Sequence, residues 1–160
     1  MAVDIFLKID GIKGESLDSK HKDEIEVLSY SFGESQTGTF AAGAGGGAGK
    51  VSMQDFHFTM SVNKSSPNLF LACAAGQHIK EGLLTVRKAG GDQQEYLKIK
   101  LTDILVSSYQ TGASHGSEVP TDQVSLNFTK IEHSYAPQNA KGQLEAALTA
   151  GWNLKENKKV

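Results

Sequence analysis

In the stretch "VSMQDFHFTMSV", Val51–Val62, the residues Val51 and Met53 share one parity, and Phe56, Phe58, Met60 and Val62 share the other after a slip at Gln54–Asp55. A period of two is the mark of a half-buried strand, because successive side chains leave a strand on opposite faces. The strand decides how the unusual run before it is read. In "GAGGGAGKV", Gly43–Val51, glycines could cradle a phosphate only where backbone N–H groups converge at a helix N-terminus. Ala44 stands where a P-loop needs its first glycine, and Val51 stands where a Ser or Thr would reach magnesium. The relaxed dinucleotide fingerprint at 43–48 requires a following helix and meets a strand instead. The nucleotide-binding alternative therefore yields to an extended Gly-rich loop at 36–50, and no cofactor is expected.

The same period runs through most of the chain. "VDIFLKI" reads as a first strand, closed by Gly11 and Gly14. In "EIEVLSYSF" the apolar parity changes after Val27, which predicts a β-bulge that keeps Ile25, Val27, Leu28, Tyr30 and Phe32 on the core face. Glu24, Glu26, Ser29 and Ser31 then face the other way. "LLTVRKA" and "EYLKIKLTDILVSSY" form a hairpin through "GGDQQ", where Gly90 and Gly91 can take positive φ. "DQVSLNFTKIEHSY" reads as one further strand, and a short last strand surrounds Trp152 and Leu154. The one clear helix is "SSPNLFLACAAGQ", about 66–76, with Ser66 as N-cap, Pro67 in the first turn and Gly76 as stop. Its apolar face is Leu69, Phe70, Cys73 and Ala74, and "GQLEAALTA" offers a further helical turn. Seven or eight strands with one short helix make an all-β, antiparallel β-barrel or two-sheet sandwich with a lateral α-helix, in a single domain over 1–160.

Composition narrows the partners. The chain has 160 residues, 16 Lys and Arg against 18 Asp and Glu, and a net charge of −2. Without a basic stripe to follow a phosphate backbone, nucleic acid is not an expected partner. The single Cys73 makes no intrachain disulfide, which fits folding in a reducing cytoplasm. The N-terminus lacks a signal-peptide pattern and no stretch has the length of a membrane span, so neither a cleaved leader nor membrane insertion is expected.

Catalytic patterns fare no better than the phosphate loop. "GASHG", Gly112–Gly116, reproduces the Gly-x-Ser-x-Gly spacing of a nucleophile elbow, with Asp122 and His133 following in hydrolase order. An elbow needs a strand-to-helix turn to build its oxyanion hole, whereas this chain passes Pro120 into another strand. Ser114 is therefore read as part of a polar connection, with a serine hydrolase as the alternative. His21, His57, His78, His115 and His133 show no metal-ligand spacing, and no Cys cluster completes a zinc site. Neither catalytic residues nor a metal is expected.

Several long blocks in order carry a more specific signal: "DIFLKIDGIKGES", "HKDEIEVLSYSFGESQ", "GGGAGKVSMQDFHFT", "KSSPNLFLACAAGQHI", "RKAGGDQQEYLKIKLTDILVSS" and the closing "GW". Together they resemble the Hcp family, the tube protein of the bacterial type VI secretion system. The resemblance implies a barrel with a lateral helix, assembled as a homohexameric ring, with rings stacked into an inner tube within a contractile sheath. It implies sheath and spike proteins as partners, effector proteins carried in the ring lumen, and export without a cleaved signal from the bacterial cytoplasm. Within that frame Ser29 and Ser31 are expected to line the lumen, a solvated outer face being the alternative. Gln36, Thr37, Gly43, Gly45, Gly46 and Gly47 are expected in the loop that meets a neighbouring subunit or ring. Gly90, Gly91 and Asp92 at the hairpin tip, with Lys155 and Lys158 in the tail, are expected at the two stacking rims.

Overall fold

The computed structural model describes residues 2–38 and 49–160. Its elements are β1 (Val3–Ile9), β2 (Ile25–Glu26), β3 (Ser29–Ser31), β4 (Glu34–Ser35), β5 (Ser52–Met53), β6 (Phe56–Ser61), α1 (Ser65–Ala75), β7 (His78–Lys88), β8 (Glu95–Gly112), β9 (Thr121–Asn127), β10 (Lys130–Tyr135), β11 (Leu148–Asn153) and β12 (Lys158–Lys159). Every strand pair is antiparallel, and the fold is all-β with one short helix. Gly43, Gly45, Gly46 and Gly47 lie outside the described residues; Gln36 and Thr37 lie within them and are exposed.

The 18-residue β8 organises the rest. Its first half pairs with β7 on one edge and β10 on the other, while its second half pairs with β9. One path then runs β8–β10–β11–β12 and another β8–β7–β1–β2, while β9 continues to β6 and β3. The ladder does not close, because β2 and β3 are two halves of one segment that changes partner. Val27 N–H donates to the Ile5 carbonyl on β1, and Leu28 N–H donates to the Thr59 carbonyl on β6. The chain itself thus joins the two free ends. The break is where the parity change predicted it, but it turns Leu28 outward: that side chain is 60% exposed, while Ile25 and Val27 are buried. A strand that leaves one partner for another rotates at the corner, and Leu28 sits at the corner itself.

The core gathers Leu7, Ile25, Phe56, Phe58, Met60, Leu69, Leu84, Leu101, Ile104 and Leu126, all at most 1% exposed. Each contributes roughly 1.5–3 kcal/mol on leaving water, so these inward rows supply most of the drive to fold. The alternation in "DFHFTMS" is realised residue by residue, since Phe56, Phe58 and Met60 are buried while His57 and Ser61 are exposed.

Helix α1 begins one residue earlier than expected. Asn63 accepts the Ser65 N–H through Oδ1 at 2.8 Å, and Gly76 closes the helix at φ 60°, its N–H and that of Gln77 meeting the Cys73 and Ala72 carbonyls. Ser66 is not the cap but lies inside the first turn, where its hydroxyl donates to Asp122 Oδ2 at 2.5 Å. Leu69 and Ala72 face the core, whereas Phe70 is 59% exposed and meets Tyr109 edge-on. The expected strand over 122–135 is instead β9 followed by β10 on the same edge of β8. The interruption faces Asp103, whose positive φ of 54° kinks β8 at that level. "GQLEAALTA" carries no helical turn; Leu144 makes an isolated bridge with Gln138, and 148–150 already belong to β11.

Candidate functional site

Four strands place their polar side chains on one outer face. The registers align Ser31, His57, Ser125 and Ser108 across β3, β6, β9 and β8, and beside them Ser29, Thr59, Gln123 and Gln110. The row between them, Tyr30, Phe58, Val124 and Tyr109, points into the core. Ser29 Oγ and Thr59 Oγ1 lie 2.6 Å apart, and His57 Nδ1 lies 2.7 Å from Ser125 Oγ. Next to these rows Asp55 accepts hydrogen bonds from Ser107 at 2.6 Å and Asn127 at 2.9 Å. Ser29 and Ser31 are therefore part of a broader face, and its two central rows contain no Lys, Arg, Asp or Glu. A concavity of about 410 Å³ along it is lined by His57, Thr59, Ser108, Gln110, Gln123 and Ser125. Only Ser29 and Ser31 were legible as candidates, because the other members come from strands whose register the sequence does not specify.

The face is backed by partly enclosed tyrosines of the inward row. Burial pushes the Tyr30 hydroxyl above its ordinary titration range, with Tyr96 adding to the effect. Burial does the same to Tyr109, followed by the adjacent Asp122 carboxylate.

The two expected rims lie at opposite ends of one sheet. The β7–β8 tip, with exposed Gly90, Gly91 and Asp92, projects past the end marked by Leu97, Tyr135 and Leu148. The tail turn carrying Lys155 projects past the other end, marked by Thr102, Lys130, Asn153 and Lys158. Five strand positions, from Leu97 to Thr102, separate these levels, about 17 Å at a rise of roughly 3.3 Å per residue. Gly91 takes φ 65°, a conformation that favours glycine in so tight a turn. Lys158 pairs with Glu156 at 2.7 Å, and Lys155 remains exposed.

At the base of the extension, β4 and β5 pair beside β10 and β11 and leave a cleft of about 620 Å³. Phe32, Val51, Met53, Ile131 and Trp152 give it an apolar lining, and Gln36 stands at its edge. The Trp152 Nε1 donor is buried there without a partner among the described residues.

The residues of the hydrolase reading are not brought together. Ser114 Oγ lies 2.9 Å from Ser117 Oγ in the β8–β9 connection, and Asp122 is buried against Ser66. His133 lies on β10, opposite Ile99 in the first half of β8. Among the described residues no group of three or more His, Cys, Asp or Glu is arranged to hold a metal ion, and no helix is long and apolar enough to cross a membrane.

A family model described as "Type VI secretion system effector, Hcp" matches residues 6–135. The protein Hcp1 of Pseudomonas aeruginosa is 49% identical over 159 residues, covering 98% of each chain. Among solved structures, Hcp1 from Salmonella typhimurium superposes with a TM-score of 0.81 at 39% identity, covering 99% of this chain and 100% of the other. A further type six secretion system protein does so with a TM-score of 0.93 at 33% identity and the same coverage.

Proposed function

The chain belongs to the Hcp family of type VI secretion system proteins, and from that premise we propose that it is a tube subunit: six copies close a ring, rings stack, and the lumen carries effector proteins. The observation that carries this reading is the two-row polar face on β3, β6, β9 and β8, with Ser29 and Ser31 at its edge. A wall that must hold varied cargo and still release it is served by weak, neutral contacts. A hydroxyl or amide hydrogen bond contributes roughly 0.5–1.5 kcal/mol net, and a six-fold ring presents each one six times. A densely charged wall would instead select cargo by sign and hold it through desolvated ion pairs.

The other expected sites support the same assembly. The tip at Gly90, Gly91 and Asp92 and the tail at Lys155 and Lys158 stand at opposite ends of the sheet, as head-to-tail stacking requires. Asp92 offers a carboxylate to the lysines of the next ring. The apolar cleft at the base of the extension, with Gln36 and Thr37 beside it, is a surface that a neighbouring subunit would cover, and a heterologous contact of this kind closes a ring when its rotation permits. Sheath and spike proteins are the outer and terminal partners, and export proceeds without a cleaved signal.

Electron microscopy of the purified protein should reveal rings with an open centre, and sedimentation should give six subunits with interfaces on the order of 1,200–2,000 Å² or more. A monomer at micromolar concentration rejects the reading. Ser31→Arg changes an exposed side chain without touching the core, so rings should persist while co-purification of effector falls at least several-fold. Undiminished cargo would remove this face from the lumen.

A further inference from the structure

The segment between β1 and β2, residues 10–24, is a long connection fastened to the sheet by a cluster of charges. Its most enclosed titratable group is His21, only 7% exposed and stacked on Phe6 of β1 with ring centroids 4.4 Å apart and planes 6° from parallel. Both ring nitrogens meet carboxylates. Nδ1 lies 2.8 Å from Glu24 Oε2, and Nε2 lies 2.7 Å from Glu95 Oε1 at the start of β8. A carboxylate can only accept hydrogen bonds, and an imidazole that donates from both nitrogens must carry a proton on each. Removing one proton places a ring lone pair against a carboxylate at hydrogen-bond distance, an arrangement with nothing to hold it.

We propose that His21 is a proton-operated latch, which holds the 10–24 connection against the root of the β7–β8 hairpin while its ring is doubly protonated and releases it when one proton is lost. The surrounding groups make the ring the element that changes. On its own segment His21 faces Glu24, and its backbone N–H donates to Asp18 Oδ1 at 3.2 Å. From β1 come Phe6 and Asp4, and from β7 comes Arg87, which binds both Asp4 and Asp18 and stands 4.9 Å from the Phe6 centroid. From β8 come Glu95 and Lys98, which pair at 3.3 Å. Burial raises the titration of Glu95, yet the hydrogen bonds from His21 and Lys98 outweigh it and leave the group below its ordinary value. The geometry thus holds the Glu95 carboxylate in its ionised form. Within the segment Gly14 packs closely on Glu24, where a Cβ would stand 2.4 Å from the Glu24 carbonyl oxygen. Since Glu95 begins the strand that leaves the tip at Gly90–Asp92, the latch reaches the end of the molecule where that tip projects.

Exposed Lys20 and Lys22 in the segment make it readable by limited trypsin digestion of the intact protein, with cleavage at exposed Lys155 in the tail as an internal reference for protease activity. The ratio of segment to tail cleavage should rise at least five-fold between pH 5.5 and pH 9. His21→Gln should show a high ratio throughout, because an amide cannot donate to both carboxylates from one nitrogen position. Glu95→Gln distinguishes a latch from simple packing. Its amide can accept from a protonated Nε2 or donate to a bare one, so the segment should stay closed and the pH step should vanish. A flat ratio in the unmodified protein overturns the proposal, as does a Glu95→Gln protein that keeps the step. Sedimentation run on the same samples reports separately on the ring, so a monomeric protein with an intact pH step would count against the assembly and not against the latch.

Discussion

Phe58→Ala should destabilise the protein by about 3–5 kcal/mol, a large part of the roughly 5–15 kcal/mol available to a single domain. Phe58 is 1% exposed and lies in the row Tyr30–Phe58–Val124–Tyr109, directly beneath the two polar rows. The neighbours of a strand residue are fixed by ladders on both sides, so the cavity has little means to collapse and the cost falls at the high end. Denaturant titration at one fixed protein concentration measures it, with Leu28→Ala as the control. Leu28 is 60% exposed and its truncation should change stability by no more than about 0.5 kcal/mol. Equal effects for the two would mean that the inward row is not a packed core.

The second large effect is expected at Arg87. Its side chain is 2% exposed, and its guanidinium donates from Nη1 to Asp18 at 3.0 Å and from Nε to Asp4 at 3.2 Å. Burying a guanidinium is costly unless its donors are matched, and here two carboxylates from different parts of the chain match them. Arg87→Met keeps the length of the side chain while leaving Asp4 and Asp18 without their cation. The melting temperature should fall by on the order of 10 °C. The Arg87 hydrogen bond holds Asp18 down from an ordinary value of 3.8 to about 2. A carboxylate depressed by folding stabilises the native state above its unfolded value, and that contribution is lost as pH falls from about 3.8 toward about 2. The substituted protein should lack this portion of the acid transition when its melting temperature is followed over that interval. An unchanged acid profile would show that the pair contributes nothing to stability.

Period-two patterning made β1, β6 and the β7–β8 hairpin legible, because each has one face in the core, and in the hairpin the turn sets the register as well. It also located the break after Val27, yet placed Leu28 on the wrong side. Periodicity reports which residues are apolar and says nothing about a segment that changes partner. The C-terminal end of the helix was readable from Gly76 and its start was not, while Phe70 was assigned to the core from spacing alone; α1 rests on the sheet along a narrow strip that admits Leu69 and Ala72 and leaves Phe70 at its margin. Of the polar face, Ser29 and Ser31 were visible as outward members of one strand. Ser108, Gln110, Gln123 and Ser125 join them only through long-range pairing. The carboxylates that surround His21 and Arg87 come from positions up to 83 residues away, a distance over which sequence spacing carries no information.

One strand carries both branches of this sheet. At 18 residues β8 runs for about 60 Å if fully extended, carrying β7 and β10 on its first half and β9 on its second. In a sandwich whose sheets touch only through side chains, the layers slide by repacking a greasy interface. Here the two branches share a covalent beam, and sliding one past the other must bend that beam at Asp103 or strip a whole ladder from it. A push delivered at the hairpin tip is therefore carried down the backbone of β8 into the branch built on β9.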